Sequence, residues 1–321
     1  MVSELVKLKN VSYYYGRAQA LKNIDLTVNR GDVLGLLGPN GAGKSTAMRI
    51  IAGILFATDG EVRVNGVDMR TAALKAKSEI GYLPDQPPLY MDFTVDEYLR
   101  FCARLRRIDR GAAGGVVEDV KARCGLEDMG RRVIARLSKG YQQRLGIAQA
   151  IIHRPALVVL DEPTVGLDPN QIIEIRKLIK SLSEDHGVLL STHILQEVAL
   201  ICNRVNIIVS GSIVYDADMS EFKLRDNQHV FSASFDNAVS QSSLSALEGV
   251  KCVEARAENT FRIECAEFKP ARDALLRESL SQGWGLSSLV PEVQTLEHVF
   301  VNLTHSDASR TTALKSMEAE A

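Results

Sequence analysis

The 321-residue chain has no apolar run near the roughly 18 residues that a membrane-spanning helix needs, so no segment is expected to cross a bilayer. Its opening stretch, MVSELVKLKNVSYYYG, lacks the apolar core of a secretory signal. The five cysteines, Cys102, Cys124, Cys202, Cys252 and Cys265, form no CxxC pair. That scatter argues against a disulfide framework and for reduced, mostly buried thiols in a cytosol. Formal net charge is −2, which gives no global basic field to hold nucleic acid. What remains is a chain of 45% hydrophobic and 24% charged residues. It is long enough for one large domain or two smaller ones, each with its own core.

Against that background one stretch stands out, GPNGAGKST at residues 38–46. It is a poor helix and a poor strand, because glycine loses backbone entropy and packs nothing. Yet it is tightly bounded, by the apolar strand pattern Val33–Leu37 before it and a helical pattern from Thr46 onward. Gly38, Gly43, Lys44 and Ser45 meet the spacing G-x-x-x-x-G-K-S. In strand–loop–helix context such a loop turns its backbone N–H groups toward a polyphosphate, and the helix start adds partial positive charge. The expected cradle is Gly38, Pro39, Asn40, Gly41, Ala42, Gly43, Lys44, Ser45 and Thr46. Lys44 would reach the outer phosphates and Ser45 would ligate Mg²⁺. An accidental glycine turn with a solvated lysine explains neither the spacing nor the flanks.

A second stretch, LVVLDEPTVGLDP at residues 157–169, reads as a buried strand ending in Asp161 and Glu162. Neighbouring side chains on a strand point opposite ways, so one carboxylate can serve a metal while the other faces an attacking water. Asp168-Pro169 has the chemistry of a helix N-cap followed by proline at the first helical position. Ile172, Ile175, Ile179 and Leu182 then make one apolar stripe. Ser191-Thr192 before His193 has a plain reading as a helix start. In LSKGYQQRLGIAQAII, from Leu137, Ser138 reads as an N-cap and Gly140 as room for a close approach to the helix end. That would be a second anion site in a chain with one phosphate loop, which points to service for another copy of the same chain.

Together these stretches, in this order, resemble the ATP-binding subunit of ABC transporters, from about Leu5 to Asp216. Gly38–Thr46 matches the Walker A loop, Leu157–Glu162 Walker B, Leu137–Gln142 the signature motif, Val165–Asp168 the D-loop, and His193 the switch histidine. Tyr15 falls where the family stacks an aromatic ring on adenine. IGYLPDQPPLY, LSKGYQQRLGIAQA, LDPNQIIEIRKLI and STHILQEV look like the gliding-motility and multidrug-exporter branch. The resemblance implies an α/β fold: a P-loop core with a RecA-like sheet and a helical subdomain at about 87–154. It also implies ATP and Mg²⁺ as ligands, with Lys44, Glu162 and His193 in hydrolysis and Ser45 and Asp161 at the metal. Ser138, Gly140 and Asp168 would act on nucleotide across a homodimer. A separate membrane permease would hold the pair at the cytoplasmic face. Two departures from the family pattern occur. The signature reads Leu-Ser-Lys-Gly-Tyr141, a variant familiar in that branch. An ungapped alignment puts Asp85, rather than Gln86, at the glutamine of the Q-loop, which makes Asp85 a further candidate at the metal.

The insert carries Arg100, Arg104, Arg106, Arg107 and Arg110, a charge run of the kind that is usually a solvated face, and Gly114-Gly115 marks a loop within it. The ATPase domain is expected over 1–225, an accessory α+β domain over 226–304 and a disordered tail over 305–321. Within the accessory domain, strand patterns at His229–Phe235, Lys251–Arg256, Thr260–Cys265 and Trp284–Leu289 alternate with helical ones at Ser240–Leu247 and Ala271–Leu280. That β-α-β-β-α-β order fits a small ferredoxin-like unit. A last amphipathic turn pair is read at Leu296, Val299, Phe300 and Leu303.

Three functions compete. A transporter motor fits one loop and one signature per chain, with no nucleic acid as partner. A soluble ABC-type ATPase on ribosomes or DNA would bring two ATPase units, long heptads or a zinc hook, none of which the sequence has. A dead scaffold conflicts with the intact Lys44, Asp161, Glu162 and His193.

Overall fold

The computed structural model describes residues 4–220, 230–291, 296, 297, 299–301 and 303. They form two compact units, one running to Met219 and the other spanning Ser220–Val301.

In the first unit two long strands, β1 (Glu4–Tyr15) and β2 (Ala18–Asn29), pair antiparallel with Leu8 opposite Leu26. With β4 (Asp59–Val64) and β5 (Val67–Asp68) they form an antiparallel sheet in the order β2-β1-β4-β5. Their inward residues, Val6, Leu8, Val11, Leu21 and Ile24 among them, belong to the main core cluster.

The second sheet positions the site. Its order is β10-β9-β3-β8-β7-β6, built from β3 (Val33–Leu37), β6 (Ile80–Leu83), β7 (Leu157–Asp161), β8 (Gly187–Thr192), β9 (Arg204–Val209) and β10 (Ser212–Asp218). β3, β6, β7, β8 and β9 run parallel, and β10 closes one edge antiparallel. β3, β7 and β8 are buried at every position, as expected of strands covered on both faces. In register Leu37 faces Thr192, Leu83 faces Leu160 and Asp161 faces Ser191, so four strands end level with one another. The crevice beyond the carboxyl ends of parallel strands is where α/β sheets bind ligands.

Helices α1 (Lys44–Ile51) and α2 (Ala73–Ser78) lie beside these sheets, and Met48, Ile50 and Ile51 of α1 join the core. The insert is helical: α3 (Val95–Leu105), α4 (Arg110–Cys124) and α5 (Lys139–Ile151). Thr94 and Glu97 close a reciprocal capping box on α3. The loop expected at Gly114-Gly115 is absent, because both residues lie inside α4. Asp109 caps that helix, Val117, Val120 and Cys124 bury its inner face, and buried Lys121 bonds Asp96 at 2.8 Å. Tertiary packing thus outweighs the roughly 1 kcal/mol that each glycine costs a helix interior. α6 (Pro169–Leu182) buries Ile175, Leu178, Ile179 and Leu182, leaving Ile172 half-buried, and α7 (Leu195–Ile201) follows β8.

The second unit has β11 (Val230–Phe235), α8 (Gln241–Ser245), β12 (Val250–Ala257), β13 (Thr260–Cys265), α9 (Phe268–Gln282) and β14 (Leu286–Pro291). The sheet is antiparallel in the order β12-β13-β11-β14, the split β-α-β arrangement of ferredoxin-like units. Strict alternation in β11 sends Phe231, Ala233 and Phe235 into a separate core with Leu244, Phe261, Ile263 and Leu275. β14 begins two residues later than the sequence pattern indicates. His229 and the 305–321 tail lie outside the described residues.

Candidate functional site

β3 ends at Leu37 and the chain turns at once into the glycine loop. A Cβ on Gly38 would lie 2.3 Å from the Ile208 carbonyl oxygen, so the loop seats against β9 only because Gly38 has no side chain. Gly43 has φ +111° and a Cβ there would meet the Ala20 carbonyl oxygen at 2.8 Å. Gly41, at φ +80°, faces open space, and it is there that the backbone is bare to a ligand. Gly43 is the N-cap of α1, whose first-turn N–H groups have no intrahelical acceptors. Ala42 spends its N–H on Pro39 O at 3.2 Å, and Lys44 Nζ donates to Gly38 O at 2.8 Å and Pro39 O at 3.2 Å. Lys44 is 6% exposed and its ammonium also lies 3.7 Å from Glu162 Oε1.

Across the cleft, β7 delivers Asp161, 3% exposed, and then Glu162. Asp161 Oδ1 accepts from Ser45 Oγ at 3.3 Å and from Ser191 Oγ at 2.5 Å. Glu162 stands at φ +49°, a left-handed conformation rare for a side chain of its size and a marker of stored backbone strain. Its N–H is held by Ser191 O at 3.2 Å and Ser191 Oγ at 3.0 Å. Its Oε2 lies 3.0 Å from His193 Nδ1. Nearby, burial and then the Asp161 carboxylate push the Tyr82 phenol above its ordinary value.

These groups open on a cleft of about 560 Å³, lined by Tyr15, Gly41, Lys44, Asp85, Glu162 and His193 with neighbouring loop residues. Tyr15 is 46% exposed and stands edge-on to Tyr13 at 4.8 Å between ring centres. Asp85 is in the lining and exposed Gln86 is not. The adjoining Ser45 hydroxyl and Asp161 carboxylate are hard oxygen donors that suit Mg²⁺. Among the described residues no three His, Cys, Asp or Glu side chains converge into a closed cage.

The ABC transporter family profile matches residues 21–165. The chain is 31% identical to the bacitracin transport ATP-binding protein BcrA of Enterococcus faecalis over 93% of its own length and 96% of the relative's. It is 29% identical to the linearmycin resistance ATP-binding protein LnrL of Bacillus subtilis, covering 94% and 98%. Among solved structures, the dimeric post-hydrolysis state of the ATP-binding cassette MJ0796 with ADP and Pi is 26% identical, with TM-score 0.61, covering 67% of this chain and 99% of that one. The chain belongs to the ABC transporter ATP-binding family. It is therefore a nucleotide-binding ATPase subunit.

Within this ABC cassette, Ser138, Gly140 and Asp168 are not among the residues that line the cleft. Ser138 caps α5, accepting from the Tyr141 N–H at 3.4 Å, and Asp168 caps α6, accepting from the Gln171 N–H at 3.0 Å. At Gly140 a Cβ would meet the side chain of Gln171 in α6, at 2.6 Å from its Cδ, so within the chain the glycine leaves room for that flexible side chain. Ser191 and Thr192 do not start a helix. They end β8, fully buried, and Ser191 braces both carboxyl-bearing residues. The signal was available: two hydroxyls directly after the apolar run Val188–Leu190 belong to that strand. No membrane-spanning helix is found among the described residues.

Proposed function

We propose that the chain is the ATP-hydrolysing subunit of an ABC exporter, acting as a head-to-tail pair on a separate membrane permease at the cytoplasmic face. One observation carries the pairing. Lys44, Ser45, Glu162 and His193 line one cleft, with Asp161 bonded to Ser45 behind it, while Ser138 at the α5 start is not part of that lining. A second copy would bring that helix start, with its partial positive charge, to the phosphates.

In this reading Tyr15 stacks on the adenine, and Gly38–Thr46 with Lys44 hold the phosphates. Ser45 and Asp161, with Asp85 from the neighbouring loop, would hold Mg²⁺. The ion, when bound, neutralises phosphate charge as phosphoryl transfer requires. Glu162 takes the proton of the attacking water, and His193, within hydrogen-bond distance of Glu162, orients it. Asp168 joins the nucleotide site of the opposite copy. Binding that exists only in the closed pair draws the copies together, and loss of the terminal phosphate releases them. Export is supported by the bacitracin-transport and linearmycin-resistance relatives, matched over nearly their whole length.

The test is purification of the tagged chain from membranes in mild detergent. The expected partner is a multi-spanning protein without an ATPase of its own, in equal amount, whose efflux activity fails when Glu162→Gln replaces the wild-type subunit. Recovery with ribosomes or nucleic acid instead would contradict the proposal.

A further inference from the structure

Glu197 lies on α7, one turn past His193, and is 1% exposed. Its Oε2 accepts from Thr164 Oγ1 at 2.7 Å and from Thr192 Oγ1 at 3.1 Å, both hydroxyls buried. Thr164 follows Glu162 by two residues and Thr192 immediately precedes His193. The other oxygen, Oε1, lies 3.7 Å from Arg176 Nη2 on α6, the helix that Asp168 caps, and makes no hydrogen bond. Thus the segments that bear Glu162, His193 and Asp168 meet on one buried carboxylate.

Packing alone does not explain that residue. Burying a carboxylate is costly even when it is paired, and an apolar side chain would anchor α7 at less cost. The backbone beside it supplies the reason. Glu162 is held at φ +49°, and a strained residue persists only where its surroundings over-determine it. Ser191 fixes Glu162 through its N–H. Glu197 fixes the chain on the other side, at Thr164, and with the same oxygen fixes Thr192 next to His193.

We infer that Glu197 is a positioning residue for hydrolysis, tying Thr164 to Thr192 so that Glu162 and His193 stay in register. The inference rests on the reading of Glu162 as the base. Glu197→Ala releases both threonines, so turnover falls while the nucleotide contacts of Lys44 and Tyr15 remain. Glu197→Gln keeps an oxygen that accepts both hydroxyls and should rescue the rate.

The experiment measures kcat and the ATP dissociation constant for wild type, Glu197→Ala, Glu197→Gln and Thr164→Val, alone and with His193→Ala. Small misplacements of reacting groups cost up to about a hundredfold in rate. We therefore expect kcat to fall at least about tenfold in Glu197→Ala, with affinity within about threefold. Glu197→Gln should recover most of that loss. In the His193→Ala background the further loss should shrink, because both changes disturb one unit. Should Glu197→Ala fail to fold, Thr164→Val carries the test, since it exchanges one hydroxyl for a methyl. An unchanged kcat in the folded variants, or losses that multiply in full with His193→Ala, would overturn the inference. Glu162→Gln, run alongside, separates the two readings. If it turns over normally, the base assignment fails and the inference with it; if it is inactive while Glu197→Ala runs at full rate, only the positioning role fails.

Discussion

The Lys44 ammonium sits between the carbonyl oxygens of its own loop and Glu162, 2.8 Å from Gly38 O and 3.7 Å from Glu162 Oε1. A cation from the glycine loop thus already faces the carboxylate on the opposite wall, so the groups proposed for binding and for hydrolysis share one electrostatic environment.

Lys44→Ala removes a charge-assisted phosphate contact of roughly 1.5–3 kcal/mol, or about ten- to a hundredfold in affinity. Titration with ATP should show the dissociation constant rising by that factor. An unchanged constant would remove the loop from the nucleotide site.

Asp85 lines the cleft and Gln86 does not. Asp85→Ala should therefore depress permease-coupled ATPase activity more than Gln86→Ala, and raise the Mg²⁺ concentration needed for half-maximal rate. The reverse ranking in reconstituted vesicles would return the Q-loop role to Gln86.

His153 is held near pKa 4, first by burial and then by the Arg106 charge, against an ordinary value of 6.5. Its Nε2 lies 3.0 Å from Ile80 O, and its Nδ1 is buried without a partner. Between pH 6.5 and 4 the unfolded chain binds the proton that the folded chain refuses, so stability falls as pH falls through that window. Denaturation midpoints measured across it should decline, and His153→Gln should flatten the decline. An equal slope in the variant would assign the acid sensitivity elsewhere.

Much of this was legible in the sequence. The glycine loop, the strand ending in Asp161-Glu162 and the six-element order of the second unit each rest on local rules of backbone freedom and side-chain alternation. What escaped depends on contacts distant in sequence. Gly114-Gly115 reads as a loop until Lys121 and Asp96, twenty-five residues apart, pin α4 in place. Ser191 and Glu197 carry no motif of their own, and their work appears only once β7 and β8 align Asp161 with Ser191.

The most direct test of paired, ATP-driven closure is the size of Glu162→Gln on a sizing column. The substitution keeps the shape of the side chain but removes the base, slowing turnover by about 10²–10⁴. With ATP and Mg²⁺ saturating and hydrolysis blocked, binding shared by two copies should shift the protein from monomer to dimer. Adding Ser138→Arg should reverse the shift, since a bulky cation at the start of α5 obstructs the partner's phosphate. A Glu162→Gln protein that hydrolyses nothing and still elutes as a monomer in saturating ATP would contradict the head-to-tail account.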